Sequence, residues 1–455
     1  MPWTMPDDVI VLGGGIAGLV AARRLAMDGR RVHLVEASTR LGGVVRTLRL
    51  ASPAGTFTAD VGPDVFLVRK PAAQTLCDQL GVETAPARGR ARIQRRGRLH
   101  PLPAGLTGLV PGQIGPLLRT PALGLRARLR AALEPLVRPR RADGDESLQA
   151  FAVRRFGRGA WDGLIEPLLG GLYGADAPIS LRSTLPHLHE HERHGPLLGR
   201  HGAAASSTPP FRRPVAGMDA LPHALGEALD ALGATVTTGV AVHRVEADGE
   251  AYRVDLADGR SLRAASVLVA LPAPAAAQVL APLDTALATP LGAIPVASGV
   301  AAVVGFERRG ARVPAASGWL VPRAEGGAVQ AVTLLSHKHP GTAPPGHDLA
   351  RVFLRPETVV SDDALGIAVH HLRQRLGWVG PPVVTAVHRW RDVQPRYTLG
   401  HPDRLAALDA ALARHPRLRL VGASLRGVGL PDVIAQADLV AGHLSSQLSS
   451  LPAPA

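Results

Sequence analysis

Cysteine, lysine and aromatic residues are scarce in this chain of 455 residues. A single cysteine, Cys77, cannot close an internal disulfide or build a cysteine-cluster metal site. It sits with Leu76 and Leu80 in an apolar helical pattern, so its expected role is packing and not catalysis. Aromatics make up 3% of the chain, so a core drawn from 46% hydrophobic residues must be filled by aliphatic side chains. Uninterrupted apolar runs of membrane-spanning length are lacking too. Residues 264–283 and 291–306 are uncharged, but Pro272, Pro274 and Pro282 break the first and Pro295 the second. Both are expected to hold strands, and no membrane span is expected. Residues 1–8 contain acids and no arginine and lead directly into a strand, unlike a secretory leader. The expected setting is a reducing cytoplasm.

Acidic residues are nearly absent from one region. Residues 84–142 hold thirteen arginines against one acid, Glu134, so most of the net charge of +14 lies there. Lys70 and Lys338 are the only lysines among 51 basic residues, a bias that genomic base composition alone can produce. A nucleic-acid surface would interleave such arginines with aromatic rings. The segment has no Phe, Trp or Tyr, so no nucleic-acid partner is expected. Leucines mixed with arginines in Leu106 to Val110 and Leu117 to Val137 instead suit an anionic membrane surface, and peripheral attachment there is the expectation.

The rest of the chain is organised around residues 8–47. Val9 to Leu12 is a short apolar strand. Gly13-x-Gly15-x-x-Gly18 follows, then a helical segment Leu19 to Met27, then a strand Arg31 to Val35 that ends on Glu36. This is the order of a dinucleotide-binding unit. Gly13 permits the tight turn, Gly15 admits a pyrophosphate to the backbone, and Gly18 lets helix and sheet pack closely. Free amides and the dipole at the helix start favour phosphate. Glu36 is suited to accept hydrogen bonds from ribose hydroxyls. The continuation Glu36-x-x-x-Arg40-x-Gly42-Gly43-Val44 resembles the extended signature of the amine-oxidase-like FAD flavoproteins. In them the arginine and paired glycines lie along the pyrophosphate and ribityl chain, so FAD and not NAD is the expected cofactor.

Further along, Gly62-Pro63 forces a turn, a helix runs from Pro71 to Leu80, and Arg90 to Leu99 reads as a hairpin around Gly97. Residues 101–213 hold helical pieces, including Leu117 to Val137, Ser147 to Phe156 and Trp161 to Leu172, and end in a loop, 203–214. Met218, a core residue, precedes a helix Asp219 to Leu232. Strands at Thr235 to Val245, Tyr252 to Leu256 and Ser261 to Leu271 return the chain to a sheet. A second α/β region runs from Ala297 to Arg389. A helix Ala406 to His415, a strand Leu418 to Val421, a glycine turn and a helix from Pro431 close the chain. The expected fold class is α/β. A discontinuous Rossmann-like FAD-binding domain (1–70, 214–285, 390–455) carries an α+β substrate domain (71–100, 286–389) and an inserted, mainly helical domain (101–213).

Five segments in this order then carry a closer resemblance: GPDVFLVRKP at 62–71, LHPLPAGL at 99–106, EPLLGGLYGAD at 166–176, QPRYTLGH at 394–401 and GASLRGVGLPDVIAQ at 422–436. Together they resemble the protoporphyrinogen/coproporphyrinogen oxidase family over nearly the whole chain. The resemblance implies an FAD enzyme that oxidises a porphyrinogen to the porphyrin in haem synthesis. Hydride passes from a meso carbon to the flavin in repeated rounds, and molecular oxygen reoxidises the flavin to give hydrogen peroxide. It implies that Gly13, Gly14, Gly15, Ile16, Ala17, Gly18, Glu36, Ala37, Arg40, Gly42, Gly43 and Val44 hold the adenosine, phosphates and ribityl. Gly62, Pro63, Asp64 and Val65 would lie beside the isoalloxazine, and Val242 at the adenine end. Trp390 and Gly427, Val428, Gly429 and Leu430 would close over the flavin, with the helix from Pro431 aimed at it. Arg92 would anchor a propionate, with Arg90 or Arg95 as alternatives, because this hairpin differs in length from its relatives. Lys70 would stand at the active-site mouth, and Tyr173 and Gly174 would line the macrocycle cavity. A ferrochelatase is an implied partner. No nucleophile and no metal is required.

Two departures stand out. Ala437 follows Gln436 where relatives have glycine, and the residues around 185–200 are rich in histidine. His187, His191 and His194 share a helical face, read as a solvated face with no metal. Another superfamily member, such as an amine oxidase or a carotenoid desaturase, would share the FAD residues and differ in the middle.

Overall fold

The computed structural model describes residues 7–107, 110–140, 144–173, 177–199, 210–358 and 360–449. Val9, Ile10, Val11 and Leu12 are fully buried, because the strand Asp7–Leu12 has helices on both faces. It pairs in parallel with Val32–Glu36 on one side and Ser261–Val269 on the other. Thr235–Thr238 extends the sheet beside Val32–Glu36, and Leu418–Leu420 pairs in parallel with Ser261–Val269. Ala251–Leu256 and Val242–Asp248 complete it as antiparallel strands. Three separate stretches of chain therefore meet in one sheet. The helix Ile16–Met27 lays its small residues Ala17, Ala21 and Ala22 against one face, where Ala437 and Ala441 of the C-terminal helix Leu430–Ser449 join the same core. The helices Ala273–Leu280, Thr285–Gly292 and His401–Leu412 cover the other face.

A second sheet of seven strands runs in the order Val384–Pro395, Val296–Glu307, His347–Leu354, Val329–Leu334, Gly318–Leu320, Ala91–Arg95 and Arg98–Pro101. Its two-residue period sorts its faces. Val300, Ala302 and Val304 pack with the helix Ala364–Leu376, while Ala301 and Val303 pack with Phe57 and Ala59 of the hairpin formed by Thr47–Ser52 and Gly55–Asp60. The insertion has its own core of Leu117, Leu123, Phe151, Phe156, Trp161 and Leu164. There the fully buried pair Arg155–Glu134 is joined by the amides of Leu197 and Leu198, which donate to the same carboxylate at 3.0 Å. Among the described residues no helix is long and apolar enough to cross a membrane.

Three expectations need correcting. Residues 117–137 are not one helix. Ile114–Arg119 stops before Pro121, Leu125–Ala132 starts after Gly124, and Glu134–Leu136 is a 3-10 turn around Pro135. Residues 235–245 are two strands at opposite ends of the first sheet, because Gly239 turns the chain at φ 77°. The expected loop 203–214 contains a strand, Phe211–Pro214, held between Phe66–Leu67 and Thr84–Pro86, while 203–209 lie outside the described residues. The expected boundaries at 213 and 389 therefore fall inside strands.

Candidate active site

Gly15 is the N-cap of the helix Ile16–Met27, and no side chain caps that end. A Cβ placed on Gly15 would meet nothing within 4 Å, so the space before the first amides is open. The neighbouring glycines are closely packed. A Cβ on Gly13 would lie 2.8 Å from Ala270 O, and one on Gly18 would lie 1.9 Å from Gly13 O. The carboxylate of Glu36 lies under this turn and accepts from Gly14 N at 2.6 Å and from Ser38 N at 2.8 Å. The second turn is laid on the first, since Gly42 N donates to Gly14 O at 2.7 Å and a Cβ on Gly43 would reach 3.2 Å from Gly15 Cα. Arg40 braces this second turn by donating to Leu41 O at 3.0 Å, Val45 O at 3.1 Å and Gly43 O. Burial, then repulsion from Arg46, lowers its pKa. Ile16 and Ala17 bury their side chains in the core, so only their backbone faces a ligand, and Ala37 is exposed beside Glu36. Val240 N donates to Glu36 O at 3.2 Å, which brings Val242 near the same end. An open, amide-lined cradle beside one carboxylate fits the pyrophosphate and ribose of a dinucleotide.

Beyond the cradle, Gly62 presses on Val44, where a Cβ would lie 2.0 Å from Val44 O. Trp390 Nε1 donates to Val61 O at 3.4 Å, and its ring meets His388 edge-on at 4.0 Å. Pro63 and Val65 are partly buried, and Asp64 between them is buried among Lys338, His339 and Arg351. The turn at Gly427 to Leu430 is fixed from two sides. Tyr397 donates to Ala423 O at 2.6 Å, accepts from Gly427 N at 2.9 Å and stacks on His401. Gln436 accepts from Gly422 N at 2.9 Å. Asp432, in the first turn of the last helix, lies against Gly427 and pairs through both oxygens with Lys70, at 2.6 and 2.7 Å. Burial, then Asp432, raises the pKa of Tyr173. Lys70, Asp432 and Tyr173 therefore gather beside this turn, in which Val428 and Gly429 are partly buried. Gly174 lies outside the described residues.

Arg92 is not brought to this group. The strand register pairs Arg92 with Trp319, whose ring packs with the helix Ala364–Leu376. The opposite face of the sheet, which holds Arg351, Trp390 and Ala301, continues through Leu320 to Ile93, so residue 92 faces away. The alternation that makes this hairpin legible also flips a side chain when register shifts by one residue. Arg95 shares the Ile93 face but donates to Pro121 O at 3.1 Å, and Arg90 is an exposed residue before the strand. His187 and His191 meet edge-on at 6.3 Å, and His194 pairs with Glu190. Ala437 is fully buried in the core shared with Ile16–Met27.

Four contributors escaped sequence reading: Arg351, His339, Lys338 and the hydroxyl of Tyr397. Lys338 had a usable signal, since a chain so poor in lysine keeps one there. Arg351 had none, because it lies on an ordinary strand and acts only across the sheet.

The flavin containing amine oxidoreductase model matches residues 16–444. A coproporphyrinogen III oxidase of Propionibacterium freudenreichii is 34% identical, over 94% of this chain and 89% of its own. A protoporphyrinogen oxidase of Macaca fascicularis is 32% identical, over 94% of this chain and 96% of its own. The solved structure of an Exiguobacterium protein provisionally named protoporphyrinogen oxidase superposes with a TM-score of 0.84 at 26% identity, covering 98% of this chain and 100% of its own. With this match along nearly all of its length, the chain belongs to the flavin containing amine oxidoreductase family and is an FAD-dependent oxidoreductase.

Proposed function

We propose that the chain oxidises a porphyrinogen, protoporphyrinogen IX or coproporphyrinogen III, to the porphyrin of haem synthesis, using molecular oxygen and releasing hydrogen peroxide. The observation that carries this reading is likeness over 94% of the chain to relatives bearing both names. Bound FAD supplies the hydride acceptor. The residues of the chain position it and the substrate. Gly13, Gly15 and Gly42 to Val44 hold the dinucleotide, and the turn Gly427 to Leu430, pinned by Tyr397, closes the ring's compartment. Tyr173 and Lys70 stand where a flat macrocycle with propionates would enter. Since Arg92 faces the far side of the sheet, Lys70 is the stronger choice for a propionate contact. In air, at least one of the two porphyrinogens should yield porphyrin fluorescence and peroxide with the purified protein. Peroxide from a polyamine and none from either porphyrinogen would instead favour an amine-oxidase reading.

The insertion would rest on an anionic membrane. Leu125, Leu129 and Leu133 form one stripe at four-residue spacing and are each more than half exposed, as is Leu136 nearby. Arg119 and Arg126 flank them. There the porphyrin would pass to a ferrochelatase. Flotation with phosphatidylglycerol vesicles should carry the protein upward, and Leu129→Ser should reduce it. Full retention in solution would refute the attachment.

A further inference from the structure

The two lysines of this arginine-rich chain both stand at the candidate site, and they differ in setting. Lys70 is about half exposed on Asp432, whereas Lys338 is largely buried, with its Nζ 2.7 Å from Asp64. Asp64 also takes Arg351 at 3.2 Å and His339 at 3.3 Å. Next to it Asp60, fully buried, accepts from Thr47 Oγ1 at 2.5 Å and Met218 N at 2.9 Å and faces Arg213 at 3.2 Å. Burial keeps His339 on the neutral side, so three cations stand against two carboxylates. An excess positive charge is thus held where Arg213, Arg351 and both acids are nearly inaccessible to water. Arg213 Nε and Arg351 Nε, buried as well, donate no hydrogen bond. An uncompensated buried charge is costly, so a fold that keeps one invites a reason. The placement supplies it. Arg351 Nη1 donates to Gly62 O at 2.8 Å and to Asp60 O, so the cluster is tied directly to the backbone that enters Gly62 to Val65.

We propose that Asp60, Asp64, Arg213, Lys338, His339 and Arg351 form an electropositive cluster that sets the reduction potential of the bound flavin. The inference rests on the flavin assignment and on Gly62 to Val65 lying beside the ring. It does not depend on which substrate is oxidised. Reduction brings negative charge to the pyrimidine edge of the ring, and a fixed positive charge in a poorly polarisable surround favours the reduced form. These residues act through the field and are positioning residues, not catalytic ones.

Midpoint potentials of the holoenzyme, read by dye-linked spectroscopic titration, test this with variants of opposite sign. Lys338→Met should lower the potential and Asp64→Asn should raise it. Lys338→Arg should leave it unchanged, and the Lys338→Met/Asp64→Asn double variant should return close to the parent. A tenfold change in the balance of oxidised and reduced forms reads as about 30 mV for a two-electron couple. Shifts of the same sign in both single variants, or none, would overturn the proposal, since a merely structural role has no reason to reverse sign with charge. If Asp64→Asn does not retain FAD, Arg213→Met takes its place. It must lower the potential as Lys338→Met does, and no shift in it overturns the proposal. A holoenzyme inert to porphyrinogens would still give these potentials, so failure here is separate from failure of the substrate reading.

Discussion

At Gly18 an added Cβ would lie 1.9 Å from the carbonyl oxygen of Gly13, whereas at Gly15 it would meet nothing within 4 Å. Gly18→Ala should therefore destabilise the apoprotein by roughly 1–3 kcal/mol through overpacking. Gly15→Ala should unfold within about 0.5 kcal/mol of the parent yet bind FAD at least about tenfold more weakly. Thermal unfolding of the apoproteins and flavin fluorescence titration separate the two. At Tyr397 one hydroxyl both donates to Ala423 O and accepts from Gly427 N, so Tyr397→Phe should cost about 1–3 kcal/mol and weaken FAD binding. Equal FAD affinity in parent and variant would contradict its role in holding the turn. Burial pushes the Cys77 thiol up to about 11, so iodoacetamide at pH 8 should label it only after denaturation, by intact mass. The glycines, Glu36 and Cys77 were legible in the sequence because their work is local: a turn, a cap, an apolar helix face. Asp64 was expected only as a neighbour of the flavin, without its ion pairs. Its partners Lys338, His339 and Arg351 lie more than 270 residues away and meet it through sheet packing that no local pattern encodes.

Elements with an unbroken period of their own were read correctly, and a strand held only by its partners was not. Val9 to Leu12 is apolar throughout because both of its faces are covered, and the hairpin about Gly97 follows from alternation and a left-handed turn. Phe211–Pro214 has no such pattern, and it is a strand because neighbouring strands supply its hydrogen bonds. A similar dependence sets a pH response in the substrate sheet. Trp319 Nε1 donates to His371 Nε2 at 3.2 Å, so that nitrogen must be unprotonated. Burial, with Arg375 and His370 adding repulsion, lowers the His371 pKa from 6.5 to about 4. A depressed value means that its stabilisation is complete above the unfolded value and is lost as pH falls through the folded one. The unfolding temperature should thus decline between pH 6.5 and 4. His388, lowered to about 4 by burial and by Arg46 and Arg40, adds to the same slope. Glutamine keeps an acceptor without titrating, so His371→Gln should flatten part of the decline. An unchanged slope in that variant would contradict the assignment.

Over the whole molecule, one sheet gathers the start, middle and end of the chain, and the proposed flavin cradle draws on the first glycine turn, the Gly62 segment and the last helix. A ligand held by segments so distant in sequence ties them together, and FAD binding should stabilise the fold by mass action, by about 2.7 kcal/mol at a hundredfold excess over Kd. Limited proteolysis with and without FAD should show protection at both ends of the chain at once. Lys70, Asp432 and Tyr173 stand together at the start of the last helix. The most direct test is anaerobic mixing of the yellow holoenzyme with protoporphyrinogen IX and with coproporphyrinogen III, followed by absorbance. At least one porphyrinogen should bleach the flavin bands, which should return on admitting air as porphyrin accumulates. Flavin that stays oxidised with both would contradict the account.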